Sequence, residues 1–101
     1  DVHDPIEWIG SVLVSPLERQ AFSLLLETGL HDSFRNFEQP LNTFSWWDYR
    51  AAGFRRNRGL RIDHVLLSKE LNALCQQSVI DIEPRKLERP SDHAPVWVEL
   101  D

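Results

Sequence analysis

Pro90-Ser91-Asp92-His93-Ala94-Pro95, followed by Val96-Trp97-Val98-Glu99-Leu100, is the stretch on which the reading of this chain turns. The second half alternates as a strand does, with Val96, Val98 and Leu100 on one side and Trp97 and Glu99 on the other. The first half sets an acid and an imidazole side by side at the mouth of that strand. Two readings compete. One is a surface turn in which Asp92 and His93 bond to their own backbone. The other is a reactive pair, and it needs partners from elsewhere in the chain.

Asp63 is the first candidate partner. It lies in a second apolar run, Leu60 to Ser68, predicted to be one strand in which Ile62, His64 and Leu66 share one parity and Arg61, Asp63, Val65 and Leu67 the other. A carboxylate among such neighbours needs a donor: a histidine, a metal or a backbone N–H. If the two strands are neighbours, Asp63, Asp92 and His93 meet at one edge. An Asp bonded to a histidine fixes its tautomer and supports its protonated form. A second Asp offers an oxygen ligand suited to a hard divalent ion. Nearby arginines would hold phosphate, and an aromatic side chain would stack on a sugar or base. This combination points to metal-assisted phosphodiester chemistry; the alternative is a small α/β module with a polar rim. One Asp–His pair and one further Asp are few anionic groups with which to hold a metal.

The remaining segments place these groups. Ser15-Pro16-Leu17-Glu18 is a capping box, with Pro16 at the first helical position. Leu17, Ala21, Leu24 and Leu25 then form an apolar face, widened by Phe22 and Leu26, and Gly29 ends the helix, giving Pro16 to Thr28 as an amphipathic helix packed on something. Leu30 to Phe34 reads as a short buried segment and Arg35 to Asn42 as a loop. Thr43 to Tyr49 is rich in strand-forming aromatics, and its adjacent Trp46 and Trp47 point to opposite faces if it is a strand. Ser68 caps a short helix, Lys69 to Leu74. Ser78 to Glu83 and Ala94 to Leu100 are the last strands, joined by a charged connection. The order helix, strand, strand, helix, strand, strand is an α/β arrangement.

The 101 residues suit one small domain, and 42% hydrophobic and 27% charged residues are ordinary for a globular protein. No run is long enough to span a membrane and no signal peptide opens the chain. The one cysteine, Cys75, fits a reducing compartment and a core position. The net charge of −5 argues against non-specific nucleic-acid binding, yet Arg50, Arg55, Arg56, Arg58 and Arg61 fall between Tyr49 and Ile62 with no acid among them. Such a block faces phosphate or is a solvated loop. Asp1, His3 and Asp4 are weak metal ligands, because none follow at matching spacing. A start at Asp1 without Met suggests a piece of something longer.

Three strings, in this order, carry a resemblance: Trp46-Trp47-Asp48-Tyr49-Arg50; Gly59-Leu60-Arg61-Ile62-Asp63 with Leu66-Leu67-Ser68; and Ser91-Asp92-His93-Ala94-Pro95-Val96. With Asp1 to Pro5 and Leu30 to Arg35, the whole chain resembles the carboxy-terminal half of the exonuclease III family, bacterial apurinic/apyrimidinic endonucleases of the endonuclease/exonuclease/phosphatase superfamily. The resemblance implies that residues 1–101 are the carboxy-terminal part of a single catalytic domain. The implied fold is half of a DNase I-like sandwich of two sheets flanked by helices. It makes His93 the active-site histidine, Asp63 the carboxylate that orients it, and Asp92 the acid that helps hold magnesium or manganese. It places Trp46, Leu60 and Ile62 at the pocket for a flipped-out abasic sugar, and Arg55, Arg56 and Arg58 on a DNA-contacting loop. The implied substrate is double-stranded DNA with an abasic site or a 3′ end, and the implied enzyme is a cytoplasmic monomer. The family's metal-binding glutamate, catalytic tyrosine and Gly-Asp-Phe-Asn motif are absent from these residues. This chain alone is therefore expected to be inactive, and to self-associate through an exposed apolar face. Rival readings are a DNase I-like nuclease, a phosphoinositide phosphatase, or a DNA-binding module without catalysis.

Overall fold

Ser15 opens the first helix, α1 (Pro16–Glu27), as its sequence requires: its Oγ accepts the Glu18 N–H at 3.1 Å and Pro16 stands in the first turn. The helix closes through Thr28, and Gly29 follows with φ +101°, a conformation open to glycine. The computed structural model describes residues 1–2 and 15–101, so His3 and Asp4 of the weak metal reading lie outside the described residues. The helix differs from expectation in its cover. Phe22 and Leu26 are half-buried, but Leu17 is 77% exposed and Leu24 and Leu25 about half exposed. The apolar stripe exists, and only its Phe22–Leu26 part is covered.

The predicted strand from Leu60 to Ser68 is two short strands with a detour between them. Strand β1 (His31–Asp32) precedes a 3-10 turn at Ser33–Asn36, and β2 is Trp46–Trp47. Gly59–Leu60 (β3) pairs antiparallel with β2, whereas Leu66–Leu67 (β4) pairs antiparallel with β1. The chain leaves the first ladder because Ser45 Oγ takes the N–H groups of Ile62 (3.1 Å) and Asp63 (3.0 Å). A side-chain acceptor replaces a strand partner there, so the period-two parity assumed for Asp63 does not apply.

A short helix, α2 (Lys69–Asn72), is capped by Ser68. It leads into β5 (Cys75–Ile80), which pairs antiparallel with β6 (Val96–Leu100). Strand β5 starts and stops earlier than Ser78 to Glu83. Leu74 O accepts from Asp101 N at its start, Pro95 O accepts from Asp81 N at its end, and a 3-10 turn at Glu83–Lys86 takes over. Cys75 is half-buried at the strand's first position rather than in the core.

The core beneath the site is Phe44, Trp47 and Ala94, with Phe54 and Ile80 against it. Trp47 and Phe54 meet edge to face at 5.0 Å. Gly59 belongs here by exclusion: a Cβ would lie 2.6 Å from Trp47 Nε1 and 2.8 Å from Phe44 Cβ. Among the described residues no helix is long and apolar enough to cross a membrane.

Candidate active site

Trp46 is the hinge of the site. It pairs with Leu60 on one side and, through an isolated antiparallel bridge, with His93 on the other. Two further backbone bonds fasten the His93 segment to the aromatic segment Ser45 to Trp47, Trp47 N to Asp92 O (3.1 Å) and Ala94 N to Ser45 O (2.8 Å). The aromatic segment therefore separates and registers the two stretches that carry Asp63 and His93. As the alternation predicted, Trp47 is buried and Trp46 is half-buried.

The turn before His93 is held from three directions. Ser91 Oγ accepts the His93 N–H, Tyr49 donates its hydroxyl to Pro90 O (2.8 Å), and Arg85 Nη1 donates to Ser91 O (2.5 Å). Arg85 is 6% exposed and stacks over Phe54 at 4.6 Å and Trp47 at 5.6 Å. Ring faces, and no carboxylate among the described residues, accompany this buried cation. Nothing in the charged connection Pro84 to Pro90 marked Arg85 as different from its exposed neighbours.

The acid and imidazole side chains turn away from their own backbone. His93 Nδ1 lies 2.7 Å from Asp63 Oδ2, and Asp92 Oδ2 accepts the Trp46 indole N–H at 3.0 Å. An ionised carboxylate only accepts, so Nδ1 carries the proton and Nε2 is left for another partner. Both members of the pair remain reachable, with side chains 43% and 31% exposed. The self-bonded surface turn is thus excluded: Asp63 and His93 meet, while the Asp92 side chain turns to Trp46.

Behind Asp63 lies a buried ionic cluster that the sequence reading missed. Arg61, grouped there with the phosphate-facing arginines, is 5% exposed and forks onto Asp32 at 2.5 and 3.1 Å. It also reaches Asp1 Oδ2 at 3.1 Å and His64 Nδ1 at 3.1 Å, and stacks on Phe34. Burial pushes the Asp32 carboxyl up, but the bonds and charge of Arg61 outweigh it and hold the group below its ordinary 3.8. Burial, then the Arg61 charge, lowers His64 from 6.5.

The other candidates are more scattered. Arg55 and Arg56 are exposed, and Arg58 is half-buried and has a partner. Arg50 is tied to Asp48, whose carboxyl is drawn down to about 2 by the Arg50 side chain. Leu60 has no solvent-exposed surface and pairs through its backbone with Trp46 and Val2, yet it lies in the same cavity wall as Ile62. Ile62 borders a cavity of about 490 Å³ shared with Phe22, Ser23 and His64; Trp46 is not in its wall. Leu60 and Ile62 thus share one cavity wall, and Trp46 is not part of it.

Residues 15–93 match the endonuclease/exonuclease/phosphatase family. The chain belongs to that family. It is 49% identical over 92 residues to exodeoxyribonuclease III of Haemophilus influenzae, covering 90% of this chain and 34% of the relative. The 3′ phosphatase NExo from Neisseria, bound to a product DNA hairpin, superposes with a TM-score of 0.94 at 46% identity, over 100% of this chain and 39% of NExo. An AP endonuclease from Archaeoglobus fulgidus superposes at 0.90 with 32% identity, over 100% of this chain and 40% of that one. This chain thus spans about a third of the curated relative it matches. The likeness bears out the DNase I-like, mixed helix-and-strand reading, with sheets that are small.

The family is one of metal-dependent nucleases. Among the described residues, no three His, Cys, Asp or Glu side chains form a group able to hold a metal ion. Asp92 offers one carboxylate, while Asp63 is committed to His93. The described residues do not by themselves make a metal centre.

Proposed function

We propose that this chain supplies the histidine side of the active site of a DNA-repair nuclease that hydrolyses the phosphodiester 5′ to an abasic site. The same protein would act on 3′ ends as a 3′-5′ exonuclease and 3′-phosphodiesterase. The observation that carries the reading is the 2.7 Å contact of His93 Nδ1 with Asp63, beside an Asp92 held by Trp46. Asp63 fixes the ring so that Nε2 is presented to the reacting phosphate, as a base or, once protonated, as a donor. Attack by water leaves a 3′-hydroxyl. Magnesium or manganese is the proposed ion, with Asp92 giving one oxygen ligand. Charge neutralisation at the phosphate is the chemistry such an ion supplies. Exposed Arg55 and Arg56 would contact the DNA backbone, making binding weaker as salt rises. Leu60 and Ile62, which share a cavity wall, would border the abasic sugar, and Trp46 would hold Asp92 beside it.

The names of two relatives, a 3′ phosphatase and an exodeoxyribonuclease, favour 3′-end processing as a second reading. The working place is proposed to be the cytoplasm and the full-length protein a monomer. The exposed leucines of α1 are where this chain alone would self-associate. The test is to give the full-length protein, with magnesium, duplexes carrying an internal abasic site or a 3′-phosphate. Incision 5′ to the abasic site is the expected result. Release of phosphate without incision would favour the 3′-end reading, and activity on neither would end both.

A further inference from the structure

Ser45 stands in the aromatic segment as an unremarkable polar residue between Phe44 and Trp46. In the fold it has no exposed surface and makes four hydrogen bonds to two separate stretches. Its N–H donates to Leu60 O at 3.0 Å, where the first ladder ends. Its carbonyl accepts the Ala94 N–H at 2.8 Å, one residue past His93. Its hydroxyl oxygen accepts the N–H of Ile62 at 3.1 Å and of Asp63 at 3.0 Å. The two segments bearing the His93–Asp63 pair are thus both bonded to this one residue, His93's through its main chain and Asp63's through its side chain.

We propose that Ser45 is a positioning residue that sets the Asp63 carboxylate against His93 Nδ1; the catalytic part of this proposal rests on the nuclease reading above. Without the hydroxyl, the Ile62 and Asp63 N–H groups lose the acceptor supplied by a residue with no exposed surface, and the chain moves to find another. A carboxylate oxygen 2.7 Å from its ring nitrogen has little room for such movement. A misplacement of about 1 Å near reacting groups can cost roughly 10²-fold in rate. Glycine and alanine are small enough for this fully buried position. What they lack is an acceptor for two adjacent N–H groups.

The test uses the full-length protein with Ser45→Ala, Asp63→Ala and the double substitution. Long-range proton–nitrogen correlation spectra of the neutral His93 ring report which nitrogen carries the proton. The parent is expected to show the Nδ1-protonated form, and both single variants a mixture shifted toward Nε2. Turnover of Ser45→Ala is expected to fall roughly 10- to 100-fold with KM nearly unchanged. Adding Ser45→Ala to Asp63→Ala should cost little more, because the two act through one contact. A parent-like His93 spectrum in folded Ser45→Ala would overturn the proposal, as would rate losses that simply multiply. If the alanine variant does not fold, Ser45→Thr carries the test. It keeps the acceptor, so a retained Nδ1-protonated ring supports the role and a lost one refutes it. The spectra decide the positioning even if the protein cuts no abasic DNA, so failure of the functional reading remains distinguishable.

Discussion

On the proposed nuclease reading, His93→Ala in the full-length protein is expected to lower turnover on abasic-site DNA by about 10³-fold while DNA affinity stays within about threefold. His93 Nδ1 is taken by Asp63, so the ring has one useful nitrogen to offer the phosphate, and alanine removes it. Asp63→Ala is expected to cost less, roughly 10²-fold, because the imidazole remains but loses its orientation and its support when protonated. DNA affinity should be nearly unaffected, since neither side chain belongs to the basic surface. Single-turnover kinetics and equilibrium DNA binding, measured on the same preparations, separate the two effects. A variant whose turnover stays within threefold of the parent would remove His93 from the chemistry.

Arg61→Met has the largest expected effect on stability, a loss of about 3–5 kcal/mol. The substitution keeps most of the aliphatic length and removes the charge. Asp32, with a side chain 8% exposed, would be left without its paired fork, and Asp1 and His64 would each lose a contact. The pH dependence follows from the sign of the Asp32 shift. Its carboxyl is held below 3.8 in the fold, so the stability it confers is present above that value and lost as pH falls through the folded one. In Arg61→Met the carboxyl no longer has that support, so the deficit against the parent should shrink as the medium is acidified toward pH 3. Denaturant unfolding of both proteins across that range measures it. A deficit that does not change with pH would mean that packing, not the ion pair, is what Arg61 contributes.

How far such residues were legible in the sequence depends on whether their role is local. The start of α1 was readable because Ser15, Pro16 and Glu18 act within one turn. The Asp63–His93 pair was readable because a carboxylate in an apolar run demands a donor, and an exposed Asp-His pair needs an explanation. The role of Arg61 was not, since the acid that neutralises it is 29 residues away and the local view shows only a basic block. The break in the Leu60 to Ser68 run was hidden for the same reason: its cause is the hydroxyl of Ser45, on another segment. Periodicity identified the apolar stripe of α1 but carries no information on what covers it, and Leu17, Leu24 and Leu25 remain exposed. The three strings carried the family reading, and Leu60 and Ile62 do line one cavity, whereas Trp46 is not in its wall.

The central claim is that these residues hold the histidine side of a catalytic centre whose other acids lie outside them. The described residues contain no group of three metal-ligating side chains, and the chain spans about a third of its curated relative. The most direct measurement is magnesium-dependent cleavage of an abasic-site duplex by these 101 residues alone, beside the full-length protein at equal concentration. The full-length protein should cleave it and the 101-residue chain should show no turnover above background. Robust cleavage by the chain alone, abolished by His93→Ala, would contradict the account.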